Sequence, residues 1–379
     1  MDISGILELA WGLAFFLYLS GVFLLYRKNE EEMKRQQNWV FQGELPNVSI
    51  LIAFRNEAPN LEKLVSGLMA QDYPSEKLEI ILVDDHSEDD SFKILNDLAE
   101  ENSDSLKVLA LPSSLSGKKA ALNFGRMQAK SDFLLFTDAD VHLPENWVRS
   151  MLACIQNSQA DMVCGEVKVL DYGNIGAPFE SLEFASLVAV SAGTAAAEYP
   201  VLCNGASYLV TRESLDSIVF PEEWSKVPGG DDIFLLHGLS KLGRKIAYCR
   251  IPDSAVSVNP AVSVSGFISQ RLRWASKAFT AGSAGNLLPA SLLWFFHFGF
   301  VVFVSTSLLE GKTTIILWTL CLRATAETLL LKDFLPKPGF RENASRILIF
   351  QVFYSFYFLF SGLAVLFFRK FTWKGRVYG

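Results

Sequence analysis

The sequence predicts an α/β fold: a Rossmann-like, mostly parallel sheet with helices on both faces, plus transmembrane helices at both ends. Three observations predict it. Short apolar runs alternate with segments of helical periodicity through the middle of the chain. Uncharged apolar stretches long enough to cross a bilayer stand near both ends. Half of the 379 residues are hydrophobic, which is a high share for a chain without membrane segments.

Four apolar runs suit buried parallel strands, which read as continuous hydrophobic segments. They are Val48 to Phe54, Leu78 to Val83, Leu106 to Ala110 and Phe133 to Phe136. Helical spacing separates them, at Leu61 to Gln71, about Asp89 to Glu101, and about Lys118 to Ala129. Right-handed crossovers of this kind build a parallel sheet. Ligands of such sheets bind outside the carboxyl ends of the strands.

Polar residues follow three of these strands. They are Arg55, Asn56 and Glu57 after the first, Asp84 and Asp85 after the second, and Asp138 and Asp140 after the fourth. Three polar turns at one edge predict a binding site. The turn at Asp84 and Asp85 is equally consistent with ligand contact and with an N-cap before the next helix.

The segment Thr137-Asp138-Ala139-Asp140 predicts a metal site. Carboxylates that follow a buried strand are costly unless a cation neutralises them. Mg²⁺ and Mn²⁺ prefer oxygen ligands and bridge to substrate phosphates. We therefore expect Asp138 and Asp140 to bind one of these ions. The alternative is a turn with solvated aspartates, because a D-x-D motif is short.

Three further segments carry charge at positions that suggest chemistry. Lys118 is predicted at the start of a helix, where the helix dipole disfavours a positive charge unless an anion binds there. A solvated basic turn is the alternative. Asp231 and Asp232 follow two glycines at another helix start, as a general base or as a cap. In Gln270-Arg271-Leu272-Arg273-Trp274, arginine can neutralise a diphosphate and tryptophan can stack on a sugar. An interfacial Arg/Trp belt is equally consistent with that segment.

The first apolar stretch, Leu9 to Tyr26, predicts a retained membrane anchor within residues 1–28. Basic residues follow it, so the positive-inside tendency places the middle of the chain in the cytoplasm. About three hydrophobic segments fill residues 284–370, at Asn286 to Leu309, Thr313 to Leu331 and Ile347 to Phe368. If each crosses once, the basic tail after Phe368 lies outside, against the same rule, so the topology of this region stays open.

Arg323 and Glu327 interrupt the second of these C-terminal segments at i, i+4 spacing. They can pair on one helix face. Ionisable groups within a span often mark function. We expect instead that the two side chains lie near the inner interface and extend towards the headgroups.

The order of the motifs is more specific than any one of them. VSILIAFRNE, QDYP, VDDHSED, GKKAALNFG, FTDADVHLPENW, GASYLVTRESL, GGDDIFL and QRLRW occur in this order. In sequence and spacing they resemble membrane-bound family 2 inverting glycosyltransferases with a GT-A fold. The resemblance covers about Asn47 to Trp274. It implies a cytoplasmic domain at residues 46–280, a nucleotide-sugar donor, a divalent metal, and a lipid or glycolipid acceptor at the cell or inner membrane.

The resemblance also implies a role for each matching residue. Asp232 matches the general base that takes a proton from the acceptor hydroxyl. Asp231 stands where a glutamate is usual, and Gly230 where threonine is frequent, so which aspartate is the base stays open, with Asp232 favoured by register. The donor side is implied to comprise Arg55, Glu57, Asp84, Asp85, Lys118, Asp138, Gln270, Arg273 and Trp274, with Asp138 and Asp140 on the metal.

Other functions are compatible with parts of the pattern. A processive polysaccharide synthase shares every donor-side motif but needs a transmembrane conduit. A nucleotidyltransferase with a similar sheet requires a basic Gly-rich loop directly after the first strand. This chain has Arg55-Asn56-Glu57 at that position. A non-enzymatic adaptor is disfavoured by the intact aspartates. The net charge of −7 argues against a nucleic-acid partner. The sequence identifies neither the donor nor the acceptor.

Overall fold

A computed structural model of the chain describes residues 3–101, 105–170, 177–219, 229–261, 263, 266–271, 274, 284–335, 340–367, 371–373 and 376–378. The chain divides into two compact units. The sheet unit comprises Glu30–Leu170 and Val190–Asn259. The helical unit comprises Met1–Asn29, Asp171–Ala189 and Pro260–Gly379. All five cysteines are free thiols.

The strands of the sheet unit are short and separated by helices. The strands are β1 (Val48–Phe54), β2 (Leu78–Asp84), β3 (Leu106–Ala110), β4 (Phe133–Phe136), β5 (Val141–His142), β6 (Met162–Gly165), β7 (Val167–Val169), β8 (Tyr208–Thr211), β9 (Ile246–Cys249) and β10 (Val256–Val258). The helices are α2 (Ala58–Met69), α3 (Ser91–Glu101), α4 (Lys118–Gln128), α5 (Trp147–Ser158), α7 (Arg212–Asp216) and α8 (Asp231–Lys241), with a 3₁₀ turn at Ser75–Lys77.

Seven strands form the main sheet, in the order β3-β2-β1-β4-β8-β6-β9. The pairs from β3 to β4 are parallel, as the sequence predicts. Strand β8 runs antiparallel to both of its neighbours, β4 and β6. A second sheet has the order β5-β10-β7. The predicted fold class, a mostly parallel α/β sheet, is therefore confirmed, with one reversed strand in its middle.

Burial explains why the first strands form where the apolar runs stand. Ile50, Leu51 and Ile52 of β1 are fully buried, as are Ile80 and Ile81 of β2. Each such side chain contributes about 1.5–3 kcal/mol when removed from water. Strands buried on both faces need no polar alternation, so the polar residues are displaced to the strand ends.

The helices of the helical unit are long and apolar. They are α1 (Ile3–Gln36, in this unit up to Asn29), α6 (Ala177–Ala196, in this unit up to Ala189), α9 (Ala284–Leu309), α10 (Thr313–Leu331) and α11 (Phe340–Phe367). A two-stranded hairpin, β11 (Phe371–Trp373) with β12 (Arg376–Tyr378), follows α11.

Four of these helices have the length and hydropathy of membrane spans. The spans are Glu8–Gln36, Ala290–Leu309, Thr313–Leu331 and Ala344–Leu363. Their outward faces carry large apolar side chains, with Phe16, Phe295, Trp318 and Phe353 each more than 60% exposed. A contiguous exposed apolar surface of this kind is typical of a membrane-facing protein.

Aromatic packing joins α1 to α9 within the helical unit. Trp11 stacks on Phe296 and Phe303, with ring centroids 5.4 and 5.2 Å apart. Tyr18 stacks on the other side of this contact, 4.0 Å from the Phe296 ring. Gly299 lies against Trp11, where an added Cβ would stand 3.3 Å from the indole. The small residue therefore allows the two helices to approach closely.

Arg323 and Glu327 of α10 correct the sequence-based expectation. They do pair, with Arg323 Nε 2.7 Å from Glu327 Oε1. They do not extend towards headgroups, because only 2% of the Arg323 side chain and 13% of the Glu327 side chain are exposed. Tyr18 of α1 donates to Glu327, and Arg323 donates to Ser355 of α11. The ion pair therefore ties three helices together inside the bundle.

We predict that Arg323→Met destabilises the chain by about 3–5 kcal/mol, because it leaves the Glu327 carboxylate buried without its partner. The double variant Arg323→Met/Glu327→Met should recover most of that loss. Thermal unfolding in detergent measures both. Lys312→Met is the matched control, since Lys312 forms an exposed pair with Glu8 and its removal should cost much less. Equal losses for the buried and the exposed pair would contradict the prediction.

Candidate active site

Three separate elements of the sheet unit bring charged side chains together around Lys118, the first residue of α4. Its Nζ lies 2.6 Å from Oδ1 of Asp138, which follows β4. The same Nζ lies 3.6 Å from Oδ2 of Asp231, the first residue of α8. Only 15% of the Lys118 side chain is exposed. The sequence predicts both aspartates and the lysine as site residues, and the fold gathers all three.

The ammonium and the two carboxylates compensate one another. Burial by itself lowers the pKa of Lys118, but the charges of Asp138 and Asp231 outweigh burial and raise that pKa above its ordinary value. The lysine is therefore a fixed positive charge at a helix start, where the dipole disfavours it. Such an arrangement is stable because the carboxylates offset both costs, and it leaves an ammonium facing any anion that enters.

Asp231 and Asp232 occupy different positions although they are neighbours. Asp231 Oδ2 faces Lys118 and accepts a long hydrogen bond, 3.4 Å, from the Tyr208 hydroxyl. Asp232 is buried, and its Oδ1 accepts from the backbone N–H of Ile233 at 2.8 Å. Gly230 precedes them with φ of +78°, a left-handed turn that glycine adopts without strain. This turn directs both carboxylates to the start of α8.

Gly205 opens space beside Lys118 and Asp232. A Cβ at this position would stand 3.3 Å from Lys118 Nζ and 3.5 Å from Asp232 Oδ2. The glycine therefore lets the two functional groups face a common volume instead of a side chain.

The turn after β4 is held by the reversed strand. Thr137 Oγ1 donates to Ala206 O at 2.7 Å, and Phe136 stacks on Tyr208 with centroids 4.6 Å apart. Both contacts fix where Asp138 begins. Burial first, and then the charges of Asp231 and Asp232, raise the pKa of Tyr208. The phenol thus stays protonated and donates to Asp231.

Arg55 and Glu57 form the turn after β1. Arg55 Nη1 donates to the carbonyls of Asp85 and His86 at 2.8 and 2.6 Å, and its Nη2 lies 2.6 Å from Glu88. Glu57 Oε2 accepts from the Asn60 side chain. Both residues are largely buried, at 7% and 6% exposure. These contacts organise the backbone at the ends of β1 and β2, the edge where a nucleotide is expected.

Asp84 and Asp85 end β2, and each fixes a different part of the site. The Asp84 carboxylate accepts from the backbone N–H of Ser87 at 3.0 Å, which closes the turn. Asp85 Oδ1 accepts from the backbone N–H of Gly117 at 2.9 Å. Gly117 caps α4 with φ of +96°. Asp85 therefore anchors the helix start that carries Lys118, whether or not it also contacts a base.

Asp138 and Asp140 are the donor set that a divalent cation would use. Asp138 is one-third exposed and Asp140 is exposed. Within the described part of the chain, no group of three or more His, Cys, Asp or Glu side chains gathers in metal-binding geometry. Two accessible carboxylates fit Mg²⁺ or Mn²⁺, which are often held by one or two carboxylates plus substrate phosphates. Any such ion would share Asp138 with Lys118.

The remaining predicted site residues stand in the helical unit or outside the described residues. Gln270 and Trp274 belong to the helical unit, where Trp274 packs against Phe184 with ring centroids 6.1 Å apart. Arg273 lies outside the residues that the structure describes.

Two residues of the sheet unit were missed by the analysis of the sequence: Tyr208 and Gly205. Both stand in the GASYLVT segment, which the resemblance singled out without assigning roles. The signal available was a glycine before a short apolar run. The contact between Tyr208 and Asp231 depends on the reversed direction of β8, which no local pattern indicates.

We predict an energetic coupling of about 0.5–3 kcal/mol between Lys118 and Asp138, because either substitution alone leaves a charge without its partner. A double-mutant cycle of Lys118→Met and Asp138→Asn, followed by denaturant unfolding, measures it. The control cycle pairs Asp138→Asn with Lys107→Met, on β3, three strands away, and should be additive. Additivity in both cycles would refute the compensation of Asp138 by Lys118.

Residues 49–198 match the family model for Glycosyl transferase family 2. A β-monoglucosyldiacylglycerol synthase of Trichormus variabilis is 31% identical over 41% of this chain and 33% of its own length. A poly-β-1,6-N-acetyl-D-glucosamine synthase of Staphylococcus aureus is 26% identical over 61% of this chain and 54% of its own length. The chain spans about half or less of the curated relatives that it matches.

A solved structure extends the likeness of fold beyond the family match. The mannosyltransferase PcManGT from Pyrobaculum calidifontis, in complex with GDP-Man and Mn²⁺, superposes with a TM-score of 0.57 and 20% identity. The likeness covers 86% of this chain and 95% of that one. At this identity it supports the fold, a GT-A architecture, and no more. The family match over residues 49–198, the curated relatives and this fold together show that the chain is similar to glycosyltransferases that carry a family 2 domain of GT-A fold.

Proposed function

We propose that the chain is a membrane-anchored inverting glycosyltransferase that moves a sugar from a nucleotide-sugar donor to a lipid or glycolipid acceptor. The cluster of Lys118, Asp138 and Asp231 carries this proposal. It offers an ammonium to a diphosphate and carboxylates to a cation, at the strand ends where a GT-A domain binds its donor. A bound Mn²⁺ or Mg²⁺ on Asp138 and Asp140 would supply charge compensation for the departing diphosphate.

Asp232 is the proposed general base. It takes the proton from the acceptor hydroxyl as that oxygen attacks the anomeric carbon, and the nucleoside diphosphate leaves on the opposite face. One displacement of this kind inverts the configuration. Asp231 already partners Lys118 and Tyr208, which suits the placement of the ammonium better than proton transfer. Lys118 holds the negative charge that develops on the leaving group.

The remaining donor-side residues organise this arrangement. Arg55, Glu57 and Asp84 shape the turns on which the nucleotide would rest, and Asp85 holds the start of α4. Gln270, Arg273 and Trp274 are proposed, from their motif alone, to border the diphosphate and the acceptor sugar.

The proposed orientation puts residues 46–280 in the cytoplasm, with an anchor at residues 1–28 and a membrane region at residues 284–370. Contacts inside the helical unit support it. Lys312, in the turn between α9 and α10, pairs with Glu8 at the start of α1. Lys332, after α10, lies over the Tyr26 ring near the basic end of the anchor. The short α9–α10 turn therefore lies at one end of the bundle, and the residues beside Arg27 and Lys28 lie at the other end.

A lipid acceptor is supported by the glycolipid synthase among the relatives and by the four candidate spans. A processive polysaccharide synthase is the alternative, because the poly-N-acetylglucosamine synthase matches the larger share of this chain. The four candidate spans among the described residues are few for a conduit through one chain, which favours a single transfer.

A donor panel tests the proposal directly. Purified protein with Mn²⁺, a short-chain diacylglycerol acceptor and each of several UDP- and GDP-sugars should release a nucleoside diphosphate with one donor. The product should carry one sugar or a few, as judged by mass spectrometry. A long polymer would favour the synthase alternative. Release of pyrophosphate would identify a nucleotidyltransferase, and no release from any donor would overturn the proposal.

Asp232→Asn should lower transfer by about 10²–10⁴-fold, the usual contribution of a general base, while the donor dissociation constant stays within about twofold. Asp231→Asn is the matched control. It is the same substitution at the neighbouring position, but Asp231 is a partner of Lys118. It should weaken donor binding and retain measurable turnover. Steady-state kinetics and calorimetric donor titration separate these effects. The reverse pattern would assign the base to Asp231.

A further inference from the structure

Arg271 is a buried guanidinium that neither the proposed mechanism nor the family resemblance uses. It follows Gln270 in the motif segment, residues 270–274, and both residues belong to a helical stretch that is described at 266–271. Only 5% of its side chain is exposed. A buried charge of this kind is costly unless it is paired, so its partners indicate what it does.

Three nitrogens of the guanidinium contact polar partners. Nε and Nη2 donate to Glu183 Oε2 at 2.9 and 2.6 Å. Nη1 donates to Glu180 Oε1 at 3.2 Å and also to the Gln270 side-chain oxygen. Arginine can satisfy such a set because its donors form a rigid planar fork, which lysine cannot reproduce.

Two aromatic rings also lie close to the guanidinium. It lies 3.6 Å from the centroid of the Phe267 ring and 4.9 Å from that of Trp274. One side chain therefore contacts both ends of the motif segment, the Gln270 amide and the Trp274 indole. Cation–π contacts of desolvated arginine are among the stronger ones, which adds to the restraint on Trp274.

The carboxylates that hold Arg271 are themselves held. The Tyr357 hydroxyl of α11 donates to Glu183 Oε1 at 2.9 Å. The backbone N–H of Ala261 donates to Glu180 Oε2 at 2.9 Å. Both glutamates stand on α6, whose Phe179 also packs against the Tyr357 ring, 5.5 Å between centroids. The motif segment is thus connected through Glu183 to a candidate membrane span, and through Glu180 to the backbone at Ala261.

We propose that Arg271 is a positioning residue, which sets the orientation of Gln270 and Trp274 by fixing both against Glu180, Glu183 and Tyr357. The inference rests on the proposed function, because it assigns the motif segment to the donor and acceptor region. Misplacement of a positioning group by about 1 Å can lower the rate by about 100-fold without loss of fold. Arg271 therefore acts through its neighbours rather than on substrate.

Arg323 provides a matched control for a merely structural role. It is a buried arginine of the same helical unit, its Nε also donates to a glutamate, and it contacts Glu327 and Ser355, both outside the motif segment. Arg271→Lys and Arg323→Lys keep the charge and remove the planar fork in each case. If buried arginines only stabilise the bundle, both variants should lose activity in proportion to their loss of folded protein.

The experiment measures nucleoside diphosphate release by wild type, Arg271→Lys, Gln270→Ala and the double variant, normalised to folded protein. We expect Arg271→Lys to lower kcat about tenfold or more, with a smaller change in KM, and Arg323→Lys to leave both within about twofold. The double variant Arg271→Lys/Gln270→Ala should have about the same kcat as the more affected single variant, because both substitutions act through the Gln270 side chain. Tyr357→Phe, which removes only a hydrogen bond to Glu183, should give a smaller loss and show the same non-additivity with Gln270→Ala.

Each contrary result has a separate meaning. Losses that multiply in the double variants, or equal effects of Arg271→Lys and Arg323→Lys, would overturn the positioning role and leave the proposed function intact. If Arg271→Lys does not fold, Tyr357→Phe decides by the same cycle. A wild-type chain that releases no nucleoside diphosphate from any donor would overturn both the proposed function and this inference.

Discussion

The compensation of two carboxylates by a buried ammonium is the interaction on which the candidate site depends. Asp138 follows a strand and Asp231 begins a helix far along the chain, and Lys118 joins them. Without a cation between them, two neighbouring carboxylates repel each other and resist burial. The Lys118 ammonium offsets this repulsion within the protein. The carboxylates are also the groups that a cation requires, and the ammonium is the group that a diphosphate requires. Stability and the proposed chemistry therefore depend on one cluster.

Compensation of buried charges also organises the helical unit. Arg323 and Arg271 are both buried; Arg323 pairs with Glu327 on its own helix, and Arg271 pairs with Glu180 and Glu183 on α6. In an apolar bundle such pairs are tolerated only when nearly every donor finds an acceptor, which restricts how the helices pack. Arg323 ties α1, α10 and α11 together. Arg271 connects the motif segment to α6 and, through Glu183, to α11.

Local patterns predicted most of the first half of the sheet. β1, β3 and β4 have the predicted bounds because each is a continuous apolar run between turn residues. Helix α2 starts at Ala58, three residues earlier than expected, because Pro59 fits the first helical turn. The reversed strand β8 was not predicted, since four residues carry no information on strand direction. That direction places Tyr208 beside Asp231, so this contact could not be predicted either.

The same limit applies to charged residues in the helical unit. Spacing predicted that Arg323 and Glu327 share a face, and they do. It did not predict that Tyr18 and Ser355 from distant segments cover that face, and the expectation of headgroup contact was therefore wrong. Local periodicity identifies faces, but only tertiary packing supplies their partners.

Nucleoside diphosphate binding in the presence and absence of Mn²⁺ tests the central claim most directly. Titration calorimetry with UDP and GDP should show that one of them binds wild type at least about tenfold more tightly with Mn²⁺ than without, and that Asp138→Asn removes this gain. Asp161→Asn, a partner of Arg244 in the sheet unit, should retain it. Nucleoside diphosphate binding that changes neither with Mn²⁺ nor with the Asp138→Asn substitution would contradict this account.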